Sequence, residues 1–267
     1  MSTDGVGQLR SWVRRVGFAV VVLLVLAAQA ACGDDDTEPA TRRETTTSTT
    51  TAPGPCGLAD ATDITLSAGR SGAMLHAVVT GDGPTAVVLA HEAQEDACDW
   101  AFFVPELAAD DRLILAFDFS GNGSSSDIGD GRLDLDLLAA VTEARNRGAT
   151  RVVVIGASKG ATAALAAAGT PDSGIDGVVS LSAAMSYLNA DAEPGAASIS
   201  IPVLFAAAES DGSTAETART LSERCGCAYP DVLVLGGSRH GRRLLAEGPD
   251  GSSLRTAIDQ LITRATR

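Results

Sequence analysis

From residue 85 onward the chain alternates short runs of apolar, mostly β-branched residues with longer stretches of helical spacing. The runs 85–91, 113–119, 151–158, 177–181, 202–208 and 231–235 are apolar at consecutive rather than alternate positions. A strand that is apolar on both faces has to be covered on both. The pattern therefore predicts an α/β domain with a mostly parallel, doubly wound sheet. Between the runs, 100–109, 133–147, 159–168, 214–224 and 254–264 have the spacing of covering helices. Two earlier segments, 64–67 and 73–80, are separated by Gly69 and Gly72 and predict a hairpin at the sheet edge, for about eight strands in all.

The N-terminus follows another pattern. Arg10, Arg14 and Arg15 precede an apolar run over 16–31 that ends in Gln29-Ala30-Ala31-Cys32. A membrane-spanning helix takes about 20 apolar residues, whereas this run is shorter and closes on small residues, so 1–31 is read as an export signal. The residues before Cys32 resemble the lipobox of bacterial lipoproteins, with Gln29 where that pattern usually has an aliphatic residue. The resemblance implies lipidation of Cys32 and a place on the extracytoplasmic face of the cell membrane; the alternative is a cleaved, secreted protein. Residues 32–57 then carry Asp34-Asp35-Asp36 and a threonine block, too polar to bury a core. They read as a flexible tether reaching roughly 25 Å. The folded domain is expected over 58–267, a length that suits one core.

Within it, Gly156-Ala157-Ser158-Lys159-Gly160 is a Gly-x-Ser-x-Gly, preceded by Arg151-Val152-Val153-Val154-Ile155 and followed by an alanine-rich helix former. A serine at such a strand-to-helix turn is lifted clear of the sheet, because the flanking glycines let backbone approach backbone. Lys159 is the only lysine among twenty basic residues. Its side chain is expected either to pair with Glu92 or another cleft carboxylate, or to reach into the pocket and select negatively charged acyl groups.

These motifs, taken in order, resemble the α/β-hydrolases, and the dienelactone hydrolases and esterases in particular. His91-Glu92 after the first parallel strand resembles the family's His-Gly segment. A His-Glu pair there is similar to dienelactone hydrolases, whose nucleophile is cysteine where this chain has Ser158. Residues 116–124, with Asp118, Gly121, Gly123 and Ser124, resemble the Asp-x-x-Gly-x-Gly-x-Ser turn of many members. Residues 205–212 match the strand and loop that usually carry the acid, and His240-Gly241 stands where the family places its histidine. The resemblance implies a serine hydrolase acting on a small-molecule ester or thioester without a cofactor; the alternative is a hydrolase-like binding lipoprotein that keeps the fold without turnover.

Chemistry then assigns roles. A serine hydroxyl needs a base in hydrogen-bonding reach, and the base needs a carboxylate to hold its tautomer. Of three histidines, His76 lies in the early hairpin, His91 is suited to bracing the oxyanion loop with Glu92, and His240 is last in the order nucleophile, acid, base. Asp211 is the first choice of acid, with Glu209 and Asp191 as alternatives. Backbone amides of Lys159 and Ala93 are the expected oxyanion donors. Between the strands near 181 and 202 only about twenty residues remain, too few for a large lid.

Charge and cysteines narrow the partners. A formal net charge of −14 argues against nucleic acid, and leaves Cys32 as the only membrane attachment. Besides Cys32, the expected pairings are Cys56 with Cys98 and, alternatively to two free thiols, Cys225 with Cys227. No cysteine spacing suggests a metal site.

Overall fold

The computed structural model describes residues 54–68, 72–108, 111–129 and 132–267. The export segment, Cys32 and the tether before residue 54 lie outside them. Among the described residues the order is β1 (Thr62–Ser67), β2 (Met74–Thr80), β3 (Thr85–Ala90), α1 (Val104–Ala108), β4 (Leu113–Phe117), α2 (Leu133–Asn146), β5 (Arg151–Ala157) and α3 (Lys159–Ala168). There follow β6 (Gly177–Leu181), β7 (Ser186–Tyr187), β8 (Ala190–Asp191), α4 (Ala192–Ser198), β9 (Val203–Ala208), α5 (Thr214–Arg224), β10 (Pro230–Leu235) and α6 (Pro249–Ala265).

The main sheet has eight strands in the order β1-β2-β4-β3-β5-β6-β9-β10. All neighbours from β4 to β10 are parallel, and the β1–β2 hairpin adds to β4 antiparallel. This is the mostly parallel sheet with an edge hairpin that the hydrophobic pattern predicts. Its cause is visible in β5: Val152 and Val154 enter the core that includes Leu137 of α2 and Ala163 of α3. Val153 and Ile155 enter the opposite core, with Leu107 of α1 and Leu254 and Ile258 of α6. Each such burial contributes about 1.5–3 kcal/mol, so a continuous apolar run is what a central strand requires.

Four local differences from the sequence reading have physical causes. The expected helix over 100–109 is split into a 3-10 turn, Ala97–Trp100, and α1, because Asp96 caps the turn by accepting from Cys98 N–H. Helix α6 starts at Pro249, five residues before the expected 254, with proline in the first turn where a missing N–H costs nothing. Strand β10 exposes Pro230, Asp231 and Val232 rather than covering both faces, because it is the outermost strand. Asp231 pairs there with Arg264 at 2.7 Å, a charged edge that resists further strand pairing. Finally, order begins before residue 58: Pro55–Gly57 forms a turn, Cys56 is bonded to Cys98, and Leu58 packs on the core. Cys225 and Cys227, at the end of α5, are bonded to each other.

Between β6 and β9 lie only the β7–β8 hairpin and α4, so among the described residues no large lid covers the C-terminal edge of the sheet. Among the described residues no helix is long and apolar enough to cross a membrane.

Candidate active site

Ser158 sits between β5 and α3 with φ 50° and ψ −111°, a conformation that a side chain-bearing residue adopts only where the surroundings impose it. The imposition is steric. A Cβ on Gly156 would run into the Gly160 carbonyl, and one on Gly160 would run into the Ala90 carbonyl. The two glycines therefore let α3 start directly against β3 and β5, which turns the serine outward. Ser158 N–H donates to Leu181 O at 2.8 Å, tying the turn to the end of β6.

The neighbouring residue anchors the histidine segment to the same strand end. Ser182 accepts from Gly241 N–H on its Oγ at 3.0 Å, which docks His240-Gly241 beside the serine turn. Nothing in the motifs points to Ser182. His240 Nδ1 is 2.7 Å from Asp211 Oδ2, and the same carboxylate oxygen accepts from Thr214 Oγ1 at 2.9 Å. Glu209 is exposed, with its N–H on Leu235 O, and Asp191 is exposed on β8; among the described residues neither carboxylate bonds to His240. Of the three carboxylates considered, geometry brings only Asp211 to the imidazole.

The other nitrogen, His240 Nε2, lies 3.9 Å from Glu92 Oε2, and among the described residues no hydrogen bond joins it to Ser158 Oγ. Glu92 is almost buried, and burial followed by the charge of Glu95 pushes its carboxyl above the ordinary value. Arg242 opposes this. Its N–H donates to Glu92 Oε1 at 3.3 Å, while its guanidinium bonds Glu95 and Asp99 at 2.8 Å each. Arg242 has no counterpart in the quoted motifs either.

His91 is fully buried at the end of β3. Its Nδ1 is 2.7 Å from Glu92 O, and Phe119 N–H donates to its Nε2 at 3.1 Å. A carbonyl only accepts, so the proton is on Nδ1 and the ring is neutral. Burial first, then the charge of Lys159, lowers its pKa to about 4. His91 thus braces the start of the Glu92–Ala93 segment and takes no part in proton exchange near neutral pH. The amide of Lys159 opens α3, where the helix offers it no acceptor. Ala93 lies in a turn closed by Glu95 N–H on Glu92 O. Neither amide donates to a protein acceptor among the described residues.

Lys159 does not form the ion pair with a carboxylate that its sequence context suggests. Its side chain is buried, Nζ donates to Asn122 Oδ1 at 2.8 Å, and the ammonium stands 4.6 Å over the Phe119 ring. Asn122 reaches this place because the loop after β4 is folded around Asp118. That buried carboxylate accepts from Ala97 N–H, Ser124 N–H and His76 Nδ1. Nor does Lys159 project freely into a pocket.

His76 bridges Asp118 at 3.0 Å and Asp63 at 2.9 Å, so both ring nitrogens face acceptors. Burial would lower its pKa, but the two carboxylates outweigh it and raise the value above 6.5. A raised folded-state pKa contributes stability below the unfolded value, which is lost as pH rises through the folded one. Hence His76→Gln is expected to lower Tm by about 2–4 °C at pH 6 and by clearly less at pH 9, measured by calorimetry at both pH values. Equal losses at the two would contradict the charged bridge.

The family model described as alpha/beta hydrolase fold matches residues 91–205. Among solved structures, an esterase of Pyrococcus furiosus superposes with TM-score 0.63 at 19% identity, covering 76% of this chain and 90% of its own. A dienelactone hydrolase of Anabaena variabilis gives 0.60 at 17%, covering 76% and 98%, and a proline iminopeptidase of Mycobacterium smegmatis gives 0.60 at 15%, with the same coverage. No curated protein sequence matches the chain. The chain is an α/β-hydrolase-fold protein. That fold serves many reactions, so substrate and activity have to be argued from the site.

Proposed function

We propose that this protein is a serine hydrolase that cleaves small carboxylic esters or thioesters through an acyl-enzyme on Ser158. The observation that carries this reading is the backbone of Ser158: a non-glycine residue held at φ 50° where β5 turns into α3 and tied by its N–H to the end of β6, where Ser182 also docks the segment that carries His240, the partner of Asp211. Strain at one serine is costly and is kept where the side chain must be presented.

The chemistry follows from the partners. His240 Nε2 takes the Ser158 hydroxyl proton as Oγ bonds to the substrate carbonyl carbon. The carbonyl electron pair moves to oxygen, where the amides of Lys159 and Ala93 are the donors suited to receive it. As the pair returns, the carbon–oxygen or carbon–sulfur bond to the leaving group breaks, and the imidazolium gives its proton to the departing oxygen or sulfur. Water repeats the sequence and frees the acid. Asp211 holds Nδ1–H throughout and offsets the imidazolium charge. An edge without a large lid suits small, accessible esters. Esterase, lipase and dienelactone hydrolase neighbours support the same class.

The second reading is a binding protein that keeps the fold without turnover. One observation favours it: His240 Nε2 faces Glu92 rather than bonding to Ser158 Oγ. Catalytic hydrogen bonds are often long before substrate is bound, so this geometry fits a resting enzyme as well. Steady-state hydrolysis of a short p-nitrophenyl ester and its thioester analogue tests the point; rates equal to those of denatured protein on both would favour binding.

Location belongs to the same proposal. An export signal over 1–31, followed by Cys32 and a polar tether, suits a lipid-anchored protein outside the cell membrane. Cys32→Ser is expected to move the protein from the membrane pellet to the soluble fraction in a bacterial host with a lipoprotein pathway. An unchanged distribution would contradict the anchor.

A further inference from the structure

The strongest unassigned feature is the buried ammonium one residue after the serine. Lys159 is 4% exposed, yet among the described residues no carboxylate lies within ion-pairing distance of its Nζ. Burying a charge without a counter-ion is expensive, and a space-filling role would be met by an apolar residue at no such cost. The compact ammonium reaches two groups of one loop: Asn122 Oδ1 at 2.8 Å and the face of Phe119 at 4.6 Å. Phe119 in turn donates its N–H to His91 Nε2, and His91 holds the Glu92 carbonyl.

We propose that the Lys159 side chain is a positioning residue for the reaction at Ser158: it pins the 119–122 loop and, through Phe119 and His91, fixes the Glu92–Ala93 segment. The inference rests on Ser158 being the nucleophile. The serine turn itself leads into Lys159, so the residue ties the turn to the segment that carries the second oxyanion amide. Its charge also helps keep His91 neutral, which is what lets His91 accept from Phe119 while donating to Glu92 O. The groups facing the ammonium are Asp136 on α2, Asp118 after β4, Glu95 beyond β3, and neutral His91. Burial, partly offset by the three carboxylates, lowers the Lys159 pKa to about 8. The pin is therefore in place at neutral pH and is released as pH rises through that value.

The test compares wild type, Lys159→Met and Asn122→Asp on p-nitrophenyl acetate, with hydrogen exchange over 119–126 as a readout that needs no turnover. Wild-type kcat/KM is expected to fall above about pH 8. Lys159→Met is expected to lower kcat about 10–100-fold with KM changed less than about 3-fold, to lose that alkaline limb, and to speed exchange over 119–126 by about 10-fold. Asn122→Asp places a carboxylate against Nζ and is expected to move the limb up by about one pH unit or more. Unchanged exchange in Lys159→Met overturns the inference whether or not the protein turns over esters. So does unchanged kcat in an active protein, or an Asn122→Asp limb that coincides with wild type. Absence of turnover in wild type, with exchange altered as expected, counts instead against the ester-hydrolase reading.

Discussion

Ser158→Ala is expected to lower kcat on a short p-nitrophenyl ester by about 10⁵–10⁶-fold while leaving a folded protein. The size follows from the proposed role: if Ser158 is the nucleophile, no acyl-enzyme forms without Oγ, and the remaining rate is what the Lys159 and Ala93 amides do for direct attack by water. The fold survives because the turn is set by the close backbone contacts at Gly156 and Gly160 and by Ser158 N–H on Leu181 O, none of which uses the hydroxyl. Tm within about 3 °C of wild type, with turnover lost, is the expected pair of results. A kcat within 10-fold of wild type would remove Ser158 from the chemistry.

Asp211→Asn is the second large effect, about 10⁴-fold in kcat. The carboxylate lies 2.7 Å from His240 Nδ1, and in the proposed mechanism it holds the proton on that nitrogen so that Nε2 can take the serine proton. An amide can turn its NH₂ toward Nδ1 and favour the opposite tautomer, with hydrogen on Nε2, where it blocks the proton transfer. Thr214 Oγ1, which donates to the same carboxylate oxygen, holds the side chain in this orientation. Glu209→Gln and Asp191→Asn serve as controls and are expected to stay within about 3-fold, since both carboxylates are exposed and neither bonds to His240 among the described residues. A larger loss in either control than in Asp211→Asn would reassign the acid.

The sheet was legible because a buried parallel strand leaves a simple trace: 151–158 and 203–208 are apolar at nearly every position, and both strands are buried there. Helix ends were less so. Asp96 and Pro249 set boundaries by local capping and dihedral chemistry, and in hydrophobic spacing neither residue stands out. Within the site, the residues that carry motifs were readable in order, and Asp211 meets His240 across 29 positions of chain. What holds the pieces to each other was not. Ser182, Arg242 and Asn122 act through long-range contacts, Ser182 to Gly241, Arg242 to Glu92, Glu95 and Asp99, and Asn122 to Lys159. Such pairings depend on how loops from different strands meet, which no local pattern encodes. Lys159 illustrates the limit: a lone lysine beside a serine suggests a carboxylate partner or a place in the pocket, whereas the structure gives it an amide oxygen and an aromatic face.

The central claim is that Ser158 is the nucleophile, and intact-mass spectrometry after exposure to a fluorophosphonate probe tests it most directly. The expected result is one adduct per chain on folded wild type near neutral pH, mapped to the peptide that contains Ser158 and absent from Ser158→Ala. Folded wild type that stays unmodified across neutral pH, or an adduct that persists in Ser158→Ala, would contradict it.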